Sequence, residues 1–314
     1  MSLSCLSHIK RGIGSNGNVG IRPTAPGVAV FTEFSLDRSG SMHTFNGAQH
    51  EATKQLFAQQ KDSANESGVP HYFTVTTFDD KSQTYLDNID ASMAEPPNDK
   101  QLSDMCDPRG TTKLFDTALQ GVKRLEKRAR DWYDSKSSSY RNLVKFDQVI
   151  MTFMLFTDGQ DNASQLDPYG EMLCDAIREF RKAGGNAIFM AANQDACVVG
   201  ANLGFSADSS LTVGSTPEYA QAAFKGVTQM LRAVSSGESY VSVPRSLRQS
   251  SCAPTGQGGN VGSLRQSNAP STLQQNAPRL VHRNRRAYYN SLHQGAVAPP
   301  RLRPRGLRGA RLFC

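Results

Sequence analysis

The sequence predicts an α/β fold: a three-layer, doubly wound, mostly parallel sheet with helices on both faces. Three observations predict it. β-branched and aromatic runs alternate along the chain with stretches whose apolar residues recur every three or four positions. The most apolar run, DQVIMTFMLFTDG at 147–159, is hydrophobic at both alternating sets of positions, as a strand covered on both faces must be. Strands separated by helices form βα units, which pair in parallel and bind ligands at the carboxyl ends of their strands.

Taken in order, residues 1–26 are rich in Gly, Ser and Asn and read as a disordered lead. Val28 to Leu36 reads as a first strand, although Glu33 and Ser35 interrupt its apolar run. Phe45, Ala48, Ala52 and Leu56 mark a helix that ends near Gly68-Val69-Pro70. HYFTVTTFDD (71–80) is a strand, SQTYLDNI (82–89) an edge strand and EPPNDK a loop. Leu114, Ala118, Val122, Leu125, Ala129 and Trp132 form one face of a long helix. Its charge run KRLEKRARD (123–131) reads as a solvated face, and the polar stretch 134–147 as a surface loop. After strand 147–159 come a helix through Leu173, Ile177 and Phe180, a strand at 186–193 and a short strand SLTV at 210–213. A last helix opens at Thr216-Pro217 and runs through Tyr219, Ala223, Val227, Met230 and Val234. Periodicity stops after Ser242. The organisation is thus a domain over 27–240 and a disordered Arg-rich tail over 241–314.

Charge divides the same way. From Arg245 to Cys314 there are 12 Arg and no Lys, Asp or Glu; against a whole-chain charge of +7, that leaves the first 244 residues at about −5. No run approaches the 18 apolar residues of a transmembrane helix, and the N-terminus has no apolar h-region. The six cysteines form no CxxC and have no His at zinc spacing, so they read as reduced thiols of an intracellular, cytoplasmic protein; the acid-free N-terminus leaves organelle targeting open.

Chemistry concentrates at three predicted strand or helix ends. SLDRSGSM (35–42) places Asp37, Ser39 and Ser41 on alternate positions, so that their side chains share one side where the strand gives way to a loop. DPRGTTKLFD (107–116) puts Gly110, Thr111 and Thr112 before a helix, and MLFTDGQDN (154–162) ends a buried strand with Asp158. All these donors are oxygens, which suits Mg²⁺, Mn²⁺ or Ca²⁺ and not zinc. Five protein oxygens leave an octahedral shell incomplete, so water or a partner's carboxylate must fill it. Read alone, Asp37-x-Ser39 is equally an Asx-turn that ends a strand.

The D-x-S-x-S of Asp37, Ser39 and Ser41, the G-x-T of Gly110 to Thr112 and the T-D-G of Thr157 to Gly159 resemble the metal-ion-dependent adhesion site (MIDAS) of von Willebrand factor A domains. LDRSGSM, GTTKLFDTAL, FTDGQDNAS and AANQDA resemble the bacterial and phage-type intracellular subgroup of that family, over about residues 27–236. The resemblance implies a Rossmann-like fold and metal ligation by Asp37, Ser39, Ser41, Thr112 and Asp158, with Thr111 the alternative to Thr112. It implies a non-enzymatic module in which an acidic residue of a protein partner completes the shell. Asp116, Asp161, Asn162, Asn193 and Asp195 lie at neighbouring strand or helix ends, as orienting or rim residues, or as helix-dipole, loop and capping groups.

Enzyme classes lack their signatures. Asp37 stands where a G-x-S-x-G elbow requires Gly; no P-loop is present, and GIGSNG (12–17) follows no strand. Metal-assisted hydrolysis, a weaker alternative, calls for more carboxylates or a His base beside the ion. The other alternative is nucleic-acid or polyanion association, with the tail as binder and the domain as scaffold. There Arg283, Arg285, Arg286, Tyr288 and Tyr289 would grip phosphates and stack on bases, or meet an acidic surface.

Overall fold

The computed structural model describes residues 28–45, 47–192, 194–214, 216–235 and 242–251. Six strands form one sheet: β1 (Ala29–Asp37), β2 (His71–Phe78), β3 (Ser82–Asp90), β4 (Val149–Thr157), β5 (Asn186–Ala192) and β6 (Ser210–Val213). Their order is β3-β2-β1-β4-β5-β6, with only β3 antiparallel. After β1 the chain winds outward through β2 and β3, then returns to the far side of β1 for β4, β5 and β6. The strand order therefore reverses between β1 and β4, and their carboxyl ends border the crevice where such sheets bind ligands.

The layers follow the period-two alternation of the strands. Val30, Phe34 and Leu36 of β1, with Ile150, Met154 and Phe156 of β4, face α1 (Ala48–Ser67) and α7 (Pro217–Ser235). Phe31 of β1, with Met151, Phe153 and Leu155 of β4, faces α3 (Leu114–Asp134) and α5 (Glu171–Lys182). Every residue of β1 and β4 is buried, as the apolar run 147–159 requires. α1 ends where Gly68 adopts φ +64 and its N–H meets the Ala64 carbonyl, a left-handed cap that glycine takes without strain.

Glu33 and Ser35 do not expose β1. The Glu33 carboxylate, 1% exposed, is met by Arg124 of α3, whose Nε lies 3.2 Å from Oε2 and whose Nη2 reaches Oε1. Thr76 Oγ1 donates to it at 3.0 Å, and Arg128 Nη1 stands 3.7 Å away. The run 123–131 is thus not wholly solvated: the long Arg124 and Arg128 stems reach under α3 toward the buried carboxylate.

Two further differences arise from local chemistry. Within 134–147 a short helix, α4 (Ser138–Leu143), forms because Ser137 accepts the Tyr140 N–H. Phe146 then packs edge-on against Tyr133. In the stretch assigned to the tail, α8 (Arg245–Ser250) docks Leu247 against Gly226 of α7, and Arg248 donates to the Ser210 and Ala207 carbonyls. The basic residue expected to be solvated is tied to the carbonyls beside the β6 edge. The periodicity reading also passed over α2 (Asp99–Cys106), opened by an Asn98–Gln101 capping box, and α6 (Ala196–Asn202).

Candidate functional site

The last residue of β1 is Asp37, fully buried. Its Oδ1 accepts the Ser39 N–H at 2.7 Å, closing an Asx-turn, and its Oδ2 accepts the Thr157 hydroxyl at 2.6 Å across the β1–β4 crevice. The turn leads into a 3-10 helix, Gly40–Phe45, anchored by buried Met42 and Phe45. Ser39 Oγ and Ser41 Oγ lie 3.1 Å apart, and Ser41 Oγ donates to Asp158 Oδ1 at 2.7 Å. Asp37, Ser39, Ser41, Thr157 and Asp158 thus form one connected set, with the Asx-turn embedded in it.

The second loop is drawn to the first by the main chain. Arg109 N–H donates to the Arg38 carbonyl at 2.7 Å and Gly40 N–H to the Gly110 carbonyl at 3.2 Å. Gly110 has φ +70, and a Cβ there would sit 3.0 Å from Asp80 Oδ1 and 3.3 Å from Asp79 Cβ, so the turn demands glycine. Thr112 is buried, and its hydroxyl oxygen would lie 3.3 Å from a Cβ built on Gly159, with Ser41 Oγ 3.6 Å from the same point. The bare Gly159 Cα therefore lets the third loop close against the Thr112 and Ser41 hydroxyls.

The rim residues have definite partners. Asn162 Oδ1 accepts the Thr112 N–H at 2.8 Å, while the Thr112 carbonyl accepts Asn162 and Ala163 N–H groups. Asp161 Oδ1 accepts the Phe115 N–H at 3.1 Å and the Ser164 hydroxyl at 2.6 Å. Asp116, buried, accepts the N–H groups of Gln165, Leu166 and Asp167. Burial opposes its charge, yet those amides and Lys113 hold its carboxyl below the usual range. Asp116 thus organises the 165–167 backbone rather than the dipole of its own helix. Asp195 caps α6 through the Cys197 and Val198 N–H groups; Asn193 lies outside the described residues, as do Arg283, Arg285, Arg286, Tyr288 and Tyr289. The sequence reading passed over Arg38 and Asp79. The predicted strand 71–80 had absorbed Asp79; the observed strand ends at Phe78, which leaves Asp79 at the start of the loop on the same edge.

Electrostatically the site holds two carboxylates whose charge burial disfavours. Burial, with the nearby Asp158 charge, pushes Asp37 up to about 6, and burial also raises Asp158. Among the described residues no three His, Cys, Asp or Glu side chains form a metal-holding group, so the donor set is hydroxyl-rich and carries two carboxylates. The residues fit a hard divalent ion: every converging donor is an oxygen, and a positive charge between Asp37 and Asp158 would relieve both. Ser41 is exposed and Asp158 half-buried, so the set opens to solvent on one side.

No family model matches the chain, and no curated protein matches it. Among solved structures it is similar to proximal thread matrix protein 1 from the mussel byssus with a zinc-occupied MIDAS motif: 17% identity, over 68% of this chain and 48% of that one, TM-score 0.42. It is similar to a von Willebrand factor type A protein from Catenulispora acidiphila, at 16% identity over 65% and 43%, TM-score 0.37. It is similar also to the vWF domain of the type V pili tip protein Mfa5 from Porphyromonas gingivalis, at 10% identity over 67% and 97%, TM-score 0.45. The chain spans about half the length of the mussel protein.

Proposed function

We propose that the chain is a divalent-cation-dependent protein-binding module of von Willebrand A type, without catalytic activity. One observation carries the reading. Three loops distant in sequence bring Asp37, Ser39, Ser41, Thr112 and Asp158 together at the carboxyl edge, at the β1–β4 reversal. Asp37 and Asp158 supply the charge and the three hydroxyls neutral oxygens. When bound, the ion supplies an electrophilic position for an acidic side chain of a partner. Exposed Ser41 and half-buried Asp158 would lie on the side open to that partner, and buried Asp37 and Thr112 would hold the ion on the other.

The test is thermal unfolding with and without Mg²⁺ or Mn²⁺, and partner capture with and without EDTA. Cation-dependent stabilisation, about 2.7 kcal/mol at a hundredfold excess over Kd, is expected in the native chain and lost in Asp37→Ala and Asp158→Ala. An unchanged cation response in both variants refutes the site. EDTA-resistant capture that vanishes on deleting 252–314 would favour the rival reading, polyanion binding by the tail with its unopposed arginines.

A further inference from the structure

The same edge carries a second, buried arrangement that none of the five oxygen donors belongs to. Arg38 stands between two of those donors in sequence, yet its side chain is 3% exposed and spans away from them. Its Nε donates to Asp79 Oδ2 at 2.8 Å, its Nη1 to Tyr85 Oη at 2.9 Å and to the Asp104 carbonyl at 2.7 Å, and its Nη2 to Gln83 Oε1 at 3.3 Å. One guanidinium thus ties the first loop to the β2–β3 turn, to β3 and to the last turn of α2.

Asp79 completes the clamp. It is 2% exposed; its Oδ2 also accepts Arg109 Nε at 3.1 Å, and its Oδ1 accepts the Lys81 N–H at 2.8 Å. The main chain repeats the connection. The Arg38 carbonyl accepts Arg109 N–H at 2.7 Å, and the Asp79 carbonyl accepts Lys113 N–H at 2.8 Å. Residues 109–113, which carry Thr112, are therefore held at both ends by the residues of one buried ion pair. Each of these charge-assisted hydrogen bonds has a preferred geometry, so together they constrain where the joined loops stand.

We infer that Arg38 and Asp79 are positioning residues that hold the Ser39–Ser41 loop and the Thr112 loop at a fixed separation, and so set the site's preference for a small divalent ion. The inference rests on the proposed cation site. Mg²⁺ demands near-octahedral oxygens at about 2.0–2.1 Å, whereas Ca²⁺ accepts a looser shell at about 2.3–2.6 Å. A clamp that prevents the loops from spreading penalises the larger ion. Only arginine supplies the fork: lysine in its place keeps the charge but reaches one or two of the four acceptors.

The experiment measures Mg²⁺, Mn²⁺ and Ca²⁺ binding by titration calorimetry on the full chain, in Arg38→Lys, Asp79→Asn and Arg109→Met. The first two should weaken Mg²⁺ and Mn²⁺ by about tenfold, the lower end of what loosening the groups that orient a metal's ligands costs. Ca²⁺ binding should change by less than about threefold, so the ratio of affinities moves toward the larger ion. A merely structural role lowers the unfolding temperature and leaves that ratio untouched, which would overturn the inference. Should the buried variants fail to fold, Arg109→Met, on a half-exposed side chain, carries the test. It is expected to shift the ratio in the same direction, and an unshifted ratio overturns the inference. If the native chain binds none of the three ions, the proposed site falls and this inference with it. If the native chain binds and Asp158→Ala does not, while Arg38→Lys and Asp79→Asn match the native chain, only the positioning role falls.

Discussion

Replacing Arg124 by Met tests what holds the central strand under α3. Glu33 is 1% exposed in the middle of β1. Arg124 meets both carboxylate oxygens, and its Nη2 also donates to Thr76 Oγ1 at 2.6 Å. After the substitution Glu33 keeps the Thr76 hydroxyl and Arg128 at 3.7 Å. Removing one partner of a buried pair costs about 3–5 kcal/mol, because the remaining charge is stranded; the surviving partners place this case near the lower end, at about 3 kcal/mol. That is a large share of a total stability of about 5–15 kcal/mol. Burial already raises Glu33 despite Arg124, so its contribution is full at low pH and is lost as pH rises through its native value. Without Arg124 the native value rises further, and the deficit must be larger at pH 8 than at pH 5. Urea unfolding followed by circular dichroism at both pH values is the assay. Glu33→Gln/Arg124→Met should recover at least half of the loss at pH 8. A deficit below about 1 kcal/mol that is equal at both pH values would show that no charge is stranded there, and would refute the reasoning.

His71, buried at the start of β2, supplies a pH dependence of opposite sign. Burial lowers it to about 4, against the partial opposition of Asp90, so between about 6.5 and 4 the unfolded chain binds a proton that the native chain does not. The native chain should lose up to about 3 kcal/mol on acidification through that window, and His71→Gln should lose that much less, read as the difference between the two unfolding curves. Gly110→Ala should cost about 1–2 kcal/mol for the left-handed backbone alone, and its Cβ, 3.0 Å from Asp80 Oδ1, should also displace the 109–113 loop and weaken Mn²⁺ binding. A variant as stable as the native chain, with unchanged Mn²⁺ affinity, would contradict both effects.

Much of this protein was written in local patterns. The near-continuous apolar run in 147–159 required a strand covered on both faces, and the three-four spacing from Leu114 to Trp132 required a helix with one apolar side; β4 and α3 meet both requirements. The three oxygen-bearing segments could be placed at strand and helix ends for the same reason. Side-chain direction depends on period two, and βα units send those ends to one edge. What no local pattern contains is the partner of a polar residue. Glu33 reads as a break in an apolar strand until Arg124, 91 positions away, reaches it. Asp116 reads as a helix-dipole charge until the amides of 165–167 fold onto it. Arg38 reads as a spacer between two donors until Asp79, Tyr85 and Asp104 surround it. Hydrophobic burial needs only the right period, but a buried charge is satisfied by particular atoms at particular distances, and those are supplied only when remote loops arrive together.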